Sequence, residues 1–291
     1  MAITRRDFLK GAVAAAAAGA ALPALPALPA SAGQTHATTA ERRTFLVEGL
    51  DPTHDGLKVV QLSDLHVGPR TPVDRIRDAI ARANTFQPDL VVLTGDFLSR
   101  ETRGVGLMRE QLGGLAAPTV AVLGNHDHWV DPRGASRALR ALGYAVLRNQ
   151  NTTLQLRGAP FTIIGIDDRL AGEARPREAL RGVPVEGSRL VLAHGPRTAD
   201  DLRGAGQPLL CLSGHTHGGQ VHIPGLTSFV LRAVAHEPYE RGLYRLGTVQ
   251  LYVNRGVGNS ALRVRWNSEP EVTLAVLRAA PSAPERPARG A

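Results

Sequence analysis

The sequence predicts a layered α/β domain built on a largely parallel or mixed sheet, and three observations predict it. Short β-branched or leucine-rich runs recur along the chain, helical spacing follows some of them, and several runs stop at residues with metal-ligand chemistry. Strands that alternate with helices require crossover connections, which lay neighbouring strands in parallel and cover the sheet with helices. Of the 291 residues 43% are hydrophobic and 21% charged, enough apolar surface for a core and too little charge imbalance for disorder. That length fits one large domain or two small ones.

In chain order, the first segment stands outside the fold. Thr4-Arg5-Arg6-Asp7-Phe8-Leu9-Lys10 precedes a run of Ala, Gly and Val from Gly11 to Leu22, then Leu-Pro repeats ending in Ala30-Ser31-Ala32. This segment resembles a twin-arginine signal, with residues 1–32 as the signal peptide and cleavage after Ala32. The resemblance implies export through the twin-arginine translocase to the periplasm or cell envelope, with folding and metal loading completed beforehand. Anchoring is the alternative, but Ala and Gly contribute little transfer energy and the prolines interrupt the helix of about 20 residues needed to span a bilayer. Residues 33–42 are expected to be a flexible linker, 43–280 the domain and 281–291 a disordered tail.

The charge balance is basic: 34 Lys plus Arg oppose 26 Asp plus Glu, a net charge of +8 that becomes +6 once residues 1–32 are removed. A basic face could meet an anionic envelope polymer or membrane surface. A solvated surface with excess arginine is an equal reading, and no specific nucleic-acid binding is expected. The single cysteine, Cys211, excludes an intramolecular disulfide framework and a CxxC zinc ribbon. Its place inside an apolar run predicts a buried structural thiol.

Leu57–Leu62 predicts a buried strand that runs into Ser63-Asp64-Leu65-His66, after which Val73, Ile76, Ala79 and Ile80 recur at helical spacing. Leu90–Thr94 is the next strand and ends in Gly95-Asp96. Pro118–Leu123 ends in Gly124-Asn125-His126-Asp127, Leu190–Ala193 in His194, and Leu209–Ser213 in Gly214-His215-Thr216-His217. Ligands of α/β sheets gather where strands finish. Carboxylates, neutral imidazoles and amide oxygens are the donors that surround a pair of divalent ions without leaving charge unpaired, and two cations about 3.5–4 Å apart need a shared anion between them. Gly95, Gly124 and Gly214 beside these donors are expected to let the backbone turn sharply toward a shared point.

These pieces, with Ala193-His194-Gly195 and Ser213-Gly214-His215-Thr216-His217-Gly218-Gly219-Gln220, resemble the calcineurin-like metallophosphoesterases, in particular their exported bacterial phosphodiesterase branch. The later stretches Gly242-Leu243-Tyr244 and Leu251-Tyr252-Val253-Asn254-Arg255-Gly256 are similar to that branch's closing strands. The resemblance implies two packed mixed β-sheets flanked by helices. It implies that Asp64, His66, Asp96 and His217 hold one divalent ion, that Asp96, Asn125, His194 and His215 hold the other, and that Asp96 bridges them. Manganese is favoured, with iron, zinc or nickel compatible with the same donors.

The chemistry implied is hydrolysis of a phosphodiester by a hydroxide bridging the two ions. The resemblance makes His126 the group that protonates the leaving alkoxide, with support of the ligand shell as its alternative role. Many relatives place an aspartate three residues after the bridging carboxylate, where it can orient that histidine, but this chain has Ser99; Asp127 is the candidate to supply the missing hydrogen bonds. Arg255 could meet a substrate phosphate or form a structural salt bridge. His128, His222 and His236 are left outside the site. Leu226, Phe229, Val230, Leu231 and Val234 predict a short helix, with core packing the default and a lid or lipid contact the sharper alternative. Two further functions compete: hydrolysis of a lipid-linked or nucleotide-sugar pyrophosphate, and a non-catalytic envelope-polymer-binding protein with structural metals.

Overall fold

The computed structural model describes residues 37–100, 103–260 and 262–281. The expected signal peptide and nearly all of the expected tail lie outside the described residues. Chain order first lays down β1 (Thr39–Val47), β2 (Leu57–Leu62), β3 (Leu90–Thr94), β4 (Thr119–Val122) and β5 (Ala145–Val146) in one sheet. A second sheet follows from β6 (Gln150–Leu156), β7 (Ala159–Ile166), β8 (Ser188–Ala193), β9 (Leu209–Ser213), β10 (Gly242–Leu246) and β11 (Val249–Val253). The chain then returns to the first sheet with β12 (Glu271–Ala279), which inserts between β1 and β2.

Both sheets are mixed and have six strands, in the orders β1-β12-β2-β3-β4-β5 and β10-β11-β9-β8-β7-β6. In the first, β2 to β5 are parallel and β12 is antiparallel to β2. In the second, β7, β8, β9 and β11 are parallel, and the antiparallel strands β6 and β10 close the edges.

Side chains alternate across each strand with a period of two, so one apolar run serves two cores. Val59, Leu90, Val92, Val120 and Val122 face the second sheet and meet Phe161, Ile163, Leu190, Leu192, Leu210 and Leu212. Their neighbours Val60, Val91, Leu93 and Ala121 face outward onto α1 (Val73–Thr85), α2 (Arg103–Gln111) and, beyond α3 (Asn125–Val130), α4 (Pro132–Ala141). On the far side, Ile164, Val191, Ala193, Cys211 and Val253 pack against Ala179 of α5 (Pro176–Ala179) and against Ala199 and Leu202 of α6 (Thr198–Leu202). Ile76, Ala79, Ile80 and Ala83 of α1 are the buried stripe that its spacing requires. The result is helix, sheet, sheet, helix, the layered arrangement the resemblance implied.

Two expectations are corrected. Residues 39–42 are not linker: they open β1, which pairs in parallel with β12 from Thr39↔Glu271 onward. The polar run Glu41-Arg42-Arg43 conceals the strand because only Phe45 and Val47 of β1 turn inward. The apolar stretch after the last ligand does form a helix, α7 (Leu226–Ala233), but none of its residues is buried, so core packing is not its role. Among the described residues no helix is long and apolar enough to cross a membrane.

Candidate metal centre

The parallel strands of both sheets finish at one place. The Nδ1 of His194, after β8, donates to the Thr94 carbonyl at the end of β3 (2.7 Å), and Gln61 Nε2 of β2 donates to the Ser213 carbonyl of β9 (2.9 Å). The loop after β11 closes the back: Val257 N donates to Ser63 O (2.9 Å) and Gly258 N to Asp64 O (2.7 Å). Six of the seven expected donors come together there with His126, and the seventh, Asn125, directly precedes His126 in the chain; each is buried or nearly so.

Five of these residues hold left-handed backbone: Asp64, His66, Asp96, His215 and His217 have φ of 52°, 44°, 54°, 76° and 54°. Such conformations cost on the order of 1–3 kcal/mol each for a residue with a Cβ and persist where the surroundings impose them, typically at functional sites. Of the three glycines expected to turn sharply, only Gly95 does, with φ 87°. Gly124 and Gly214 are needed for close approach instead: a Cβ on Gly124 would overlap the Asp96 carboxylate, and one on Gly214 would overlap Ser63 Oγ and the Asp64 carboxylate.

Asp96 lies between two groups of donors. Its Oδ2 is 3.2 Å from His194 Nε2 and 3.7 Å from His66 Nε2. Beyond His66, His217 Nε2 lies 3.0 Å away and Asp64 Oδ1 a further 3.3 Å from His217. Beyond His194, His215 Nδ1 is 3.3 Å away. Three overlapping clusters could each hold a cation: Asp64, His66 and His217; His66, Asp96 and His126; and Asp96, His194 and His215. Asn125 Oδ1 is buried with no hydrogen-bond partner, an expensive condition for an amide oxygen that a cation would relieve. The donor set therefore fits divalent ions held by oxygen and nitrogen.

The outer atoms of these side chains are already committed. His66 Nδ1 donates to Leu98 O (3.0 Å), leaving Nε2 facing the centre. Asp64 Oδ2 accepts from Ser63 Oγ (2.6 Å) and from the His215 N–H (3.0 Å), which leaves Oδ1 toward His217. Burial holds the imidazoles of His66 and His215 neutral, at about 3 and about 4, and, with help from neighbouring His66, also holds His217 well below its ordinary value. Neutral imidazole is the ligand form. Burial also opposes ionisation of Asp96, but the imidazoles of His194 and His126 outweigh it and hold that carboxyl well below the usual range. For His194, the adjacent Asp96 overrides burial and raises the ring well above its ordinary value, so it carries a proton that a cation would displace.

His126 Nδ1 donates to the main-chain carbonyl of Ser99 (2.8 Å), so the residue standing where relatives carry aspartate orients the ring through its backbone. Asp127 does not contact that ring. Its carboxylate accepts from the Leu98 and Gly124 N–H groups, both at 2.9 Å, and ties the loops after β3 and β4 together. Arg255 is held by Glu271 (2.5 Å) and Glu269 (3.1 Å), the structural alternative of the two foreseen. His128 pairs with Asp167 and His222 with Glu240, each at 2.6 Å. Cys211 is fully buried and burial pushes its thiol up to about 12, consistent with an inert side chain.

Two residues escaped the sequence reading. Arg265 donates to the carbonyls of Gly258, Arg255 and Ser268 and to His217 Nδ1 (3.0 Å). This contact lies against the outer nitrogen of His217 and leaves Nε2 as the atom that faces His66. Asp168, after β7, is buried with Oδ2 unpartnered, and burial raises its carboxyl. Neither carries a local pattern; each becomes visible only when distant loops fold over it.

Comparison with known proteins agrees with this geometry. Residues 57–219 match the calcineurin-like phosphoesterase family, and residues 2–29 match the twin-arginine translocation signal sequence, which marks the chain for export. The chain is 31% identical over 287 residues to the uncharacterized metallophosphoesterase YkuE of Bacillus subtilis, covering 95% of this chain and 98% of that one. It is 36% identical over 227 residues to phosphodiesterase YaeI of Escherichia coli, covering 75% and 80%. It is 27% identical over 277 residues to the UDP-2,3-diacylglucosamine pyrophosphatase LpxG of Chlamydia muridarum, covering 75% and 83%. With the family pattern filled from Leu57 to Gly219 and its donors gathered at the strand ends of both sheets, this chain is a member of the calcineurin-like metallophosphoesterases.

Proposed function

We propose that the protein is a two-cation phosphodiesterase acting in the cell envelope. The observation that carries this reading is the position of the Asp96 carboxylate between the His66 and His194 rings; Asn125, whose buried Oδ1 has no hydrogen-bond partner, directly precedes His126, whose N–H donates to Asp96 Oδ1. Asp64, His66, Asp96 and His217 would hold one cation; Asp96, Asn125, His194 and His215 would hold the other. Oxygen and nitrogen donors without thiolate are compatible with manganese, iron, zinc and nickel, of which we favour manganese. Two such cations supply Lewis acidity when bound, acidifying water and withdrawing charge from phosphoryl oxygens.

The remaining work falls to the protein. Asp96 supplies the shared negative charge that lets two cations approach, and the imidazoles on either side, neutral once His194 has given up its proton, donate without adding charge of their own. His126, pinned through Nδ1 to Ser99 O, presents Nε2 to the leaving oxygen. As the new phosphorus–oxygen bond forms from water, the bond to the leaving oxygen breaks; that oxygen takes the Nε2 proton of a His126 ring protonated on both nitrogens, and the proton the water gives up restores the ring.

Hydrolysis of bis-p-nitrophenyl phosphate tests this directly. The purified mature protein should release nitrophenol in the presence of a divalent metal, and Asp96→Asn should abolish release. Metal-dependent release that survives Asp96→Asn contradicts the assignment. A second reading, hydrolysis of a lipid-linked or nucleotide-sugar pyrophosphate, is favoured by α7, whose Phe229 is 65% exposed. The pyrophosphatase activity in the name of the Chlamydia relative points the same way. Faster release of nucleoside monophosphate from a nucleotide-diphosphate lipid than of alcohol from any simple diester would decide for it. A polymer binder with purely structural metals is disfavoured because structural metal sites are closed, whereas this reading requires open coordination positions.

A further inference from the structure

We infer that Trp129 is a stacking platform for the leaving group, and hence that the natural substrate carries a flat, unsaturated ring on the side of the phosphoester that departs. This rests on the phosphodiesterase reading of the site and extends it to the substrate class. His126 and Trp129 are three residues apart on α3, so their side chains project from the same face of the helix. Their ring centroids are 5.2 Å apart with the planes tilted by 46°. His126 also meets His66 edge-on at 4.8 Å. The three rings thus form a path leading outward from the donor cluster, through the proton donor, to the indole.

The indole is not core. Trp129 is 60% exposed, although Asn125, His126 and Asp127 of the same short helix are all buried. The fold therefore leaves a large aromatic face to solvent one helical turn from the proton donor. A leaving oxygen must lie within hydrogen-bond reach of His126 Nε2 to be protonated, so the body attached to that oxygen is directed away from the buried cluster and over the next ring. An indole face carries no formal charge with which to hold an anionic group. It favours stacking by another π-system, whether a substituted phenyl or a nucleobase.

The test compares two diesters sharing a p-nitrophenyl leaving group, bis-p-nitrophenyl phosphate and methyl p-nitrophenyl phosphate, in wild type, Trp129→Ala and Trp129→Phe. Trp129→Ala should raise KM for both substrates by about two- to tenfold, the range for loss of one aromatic pair, with kcat and metal content little changed. Trp129→Phe should restore most of the loss. An effect confined to the bis-nitrophenyl ester would place the ring on the retained side and overturn the proposal, as would no effect on either ester. If wild type cleaves neither diester, the phosphodiesterase reading fails first. Stacking is then decided by fluorescence in a Trp266→Phe background, where Trp129 is the remaining tryptophan. Phenylphosphonate should quench its emission and methylphosphonate should not; equal behaviour of the two contradicts stacking.

Discussion

The ring of His126 is held by the backbone of Ser99, through a 2.8 Å hydrogen bond from Nδ1 to the carbonyl oxygen. An orienting contact made by main chain is insensitive to the side chain that carries it. Ser99→Ala is therefore expected to keep kcat within about twofold, losing only the 3.2 Å contact from Ser99 Oγ to His66 O. His126→Ala should lower kcat by about 10²–10⁴-fold on a diester with a poor leaving group while retaining metal. Steady-state kinetics on an alkyl diester checks both; a Ser99→Ala loss as large as that of His126→Ala would show that the hydroxyl, not the carbonyl, sets the ring.

Asp127 should prove a structural residue. Its two carboxylate oxygens accept from Leu98 N and Gly124 N in a buried setting. Asp127→Asn replaces one acceptor with a donor and leaves a buried N–H facing another, which is expected to cost about 1–3 kcal/mol of stability. Urea denaturation of the metal-free protein measures this without reference to turnover. An unchanged midpoint would mean that the two loops are held by other contacts.

Close approach of backbone to ligand predicts a contrast between two glycines. A Cβ at Gly214 collides with Ser63 and the Asp64 carboxylate, whereas one at Gly124 collides with the Asp96 carboxylate. Gly214→Ala should accordingly lower occupancy at the Asp64 side of the centre, and Gly124→Ala should lower both. Bound metal per chain, measured after dialysis, distinguishes them; equal retention in both variants would remove the packing argument.

Glu237 predicts a pH effect away from the centre. Burial pushes its carboxyl up to about 7 from an ordinary 4.5. A carboxyl raised on folding binds its proton more tightly in the folded chain, so its contribution to stability is full below about 4.5 and is lost as pH rises through about 7. Glu237→Gln keeps the oxygen that accepts from Tyr239 N and removes the charge. The variant should be more stable than wild type by about 1–3 kcal/mol at pH 8 and indistinguishable at pH 4. Parallel urea curves at the two pH values read the difference, and a gain at pH 4 as large as at pH 8 would contradict it.

The ligand strands were legible in the sequence because β2, β3 and β9 are buried almost throughout, which makes their runs continuous and apolar up to the polar donor. The other strands lack that signal. β1 is an edge strand with most side chains exposed, and β5 is two residues long. β6 exposes polar residues along one face, and its turn into β7 rests on Arg157 and Gly158, both at positive φ, a hairpin cue that an arginine obscures. The donors themselves were readable as residue types at strand ends. What was not readable was support drawn from far along the chain: the Ser99 carbonyl on His126, Arg265 on His217, and the loop after β11 closing behind Asp64.

The central claim is that two cations share the Asp96 carboxylate, and metal stoichiometry tests it most directly. Purified wild-type protein saturated with manganese and freed of excess should carry two ions per chain by elemental analysis. Asn125→Ala should carry about one, and Asp96→Asn should fall toward none. Two tightly held ions in Asp96→Asn, or saturation of the wild type at a single ion, would contradict the account.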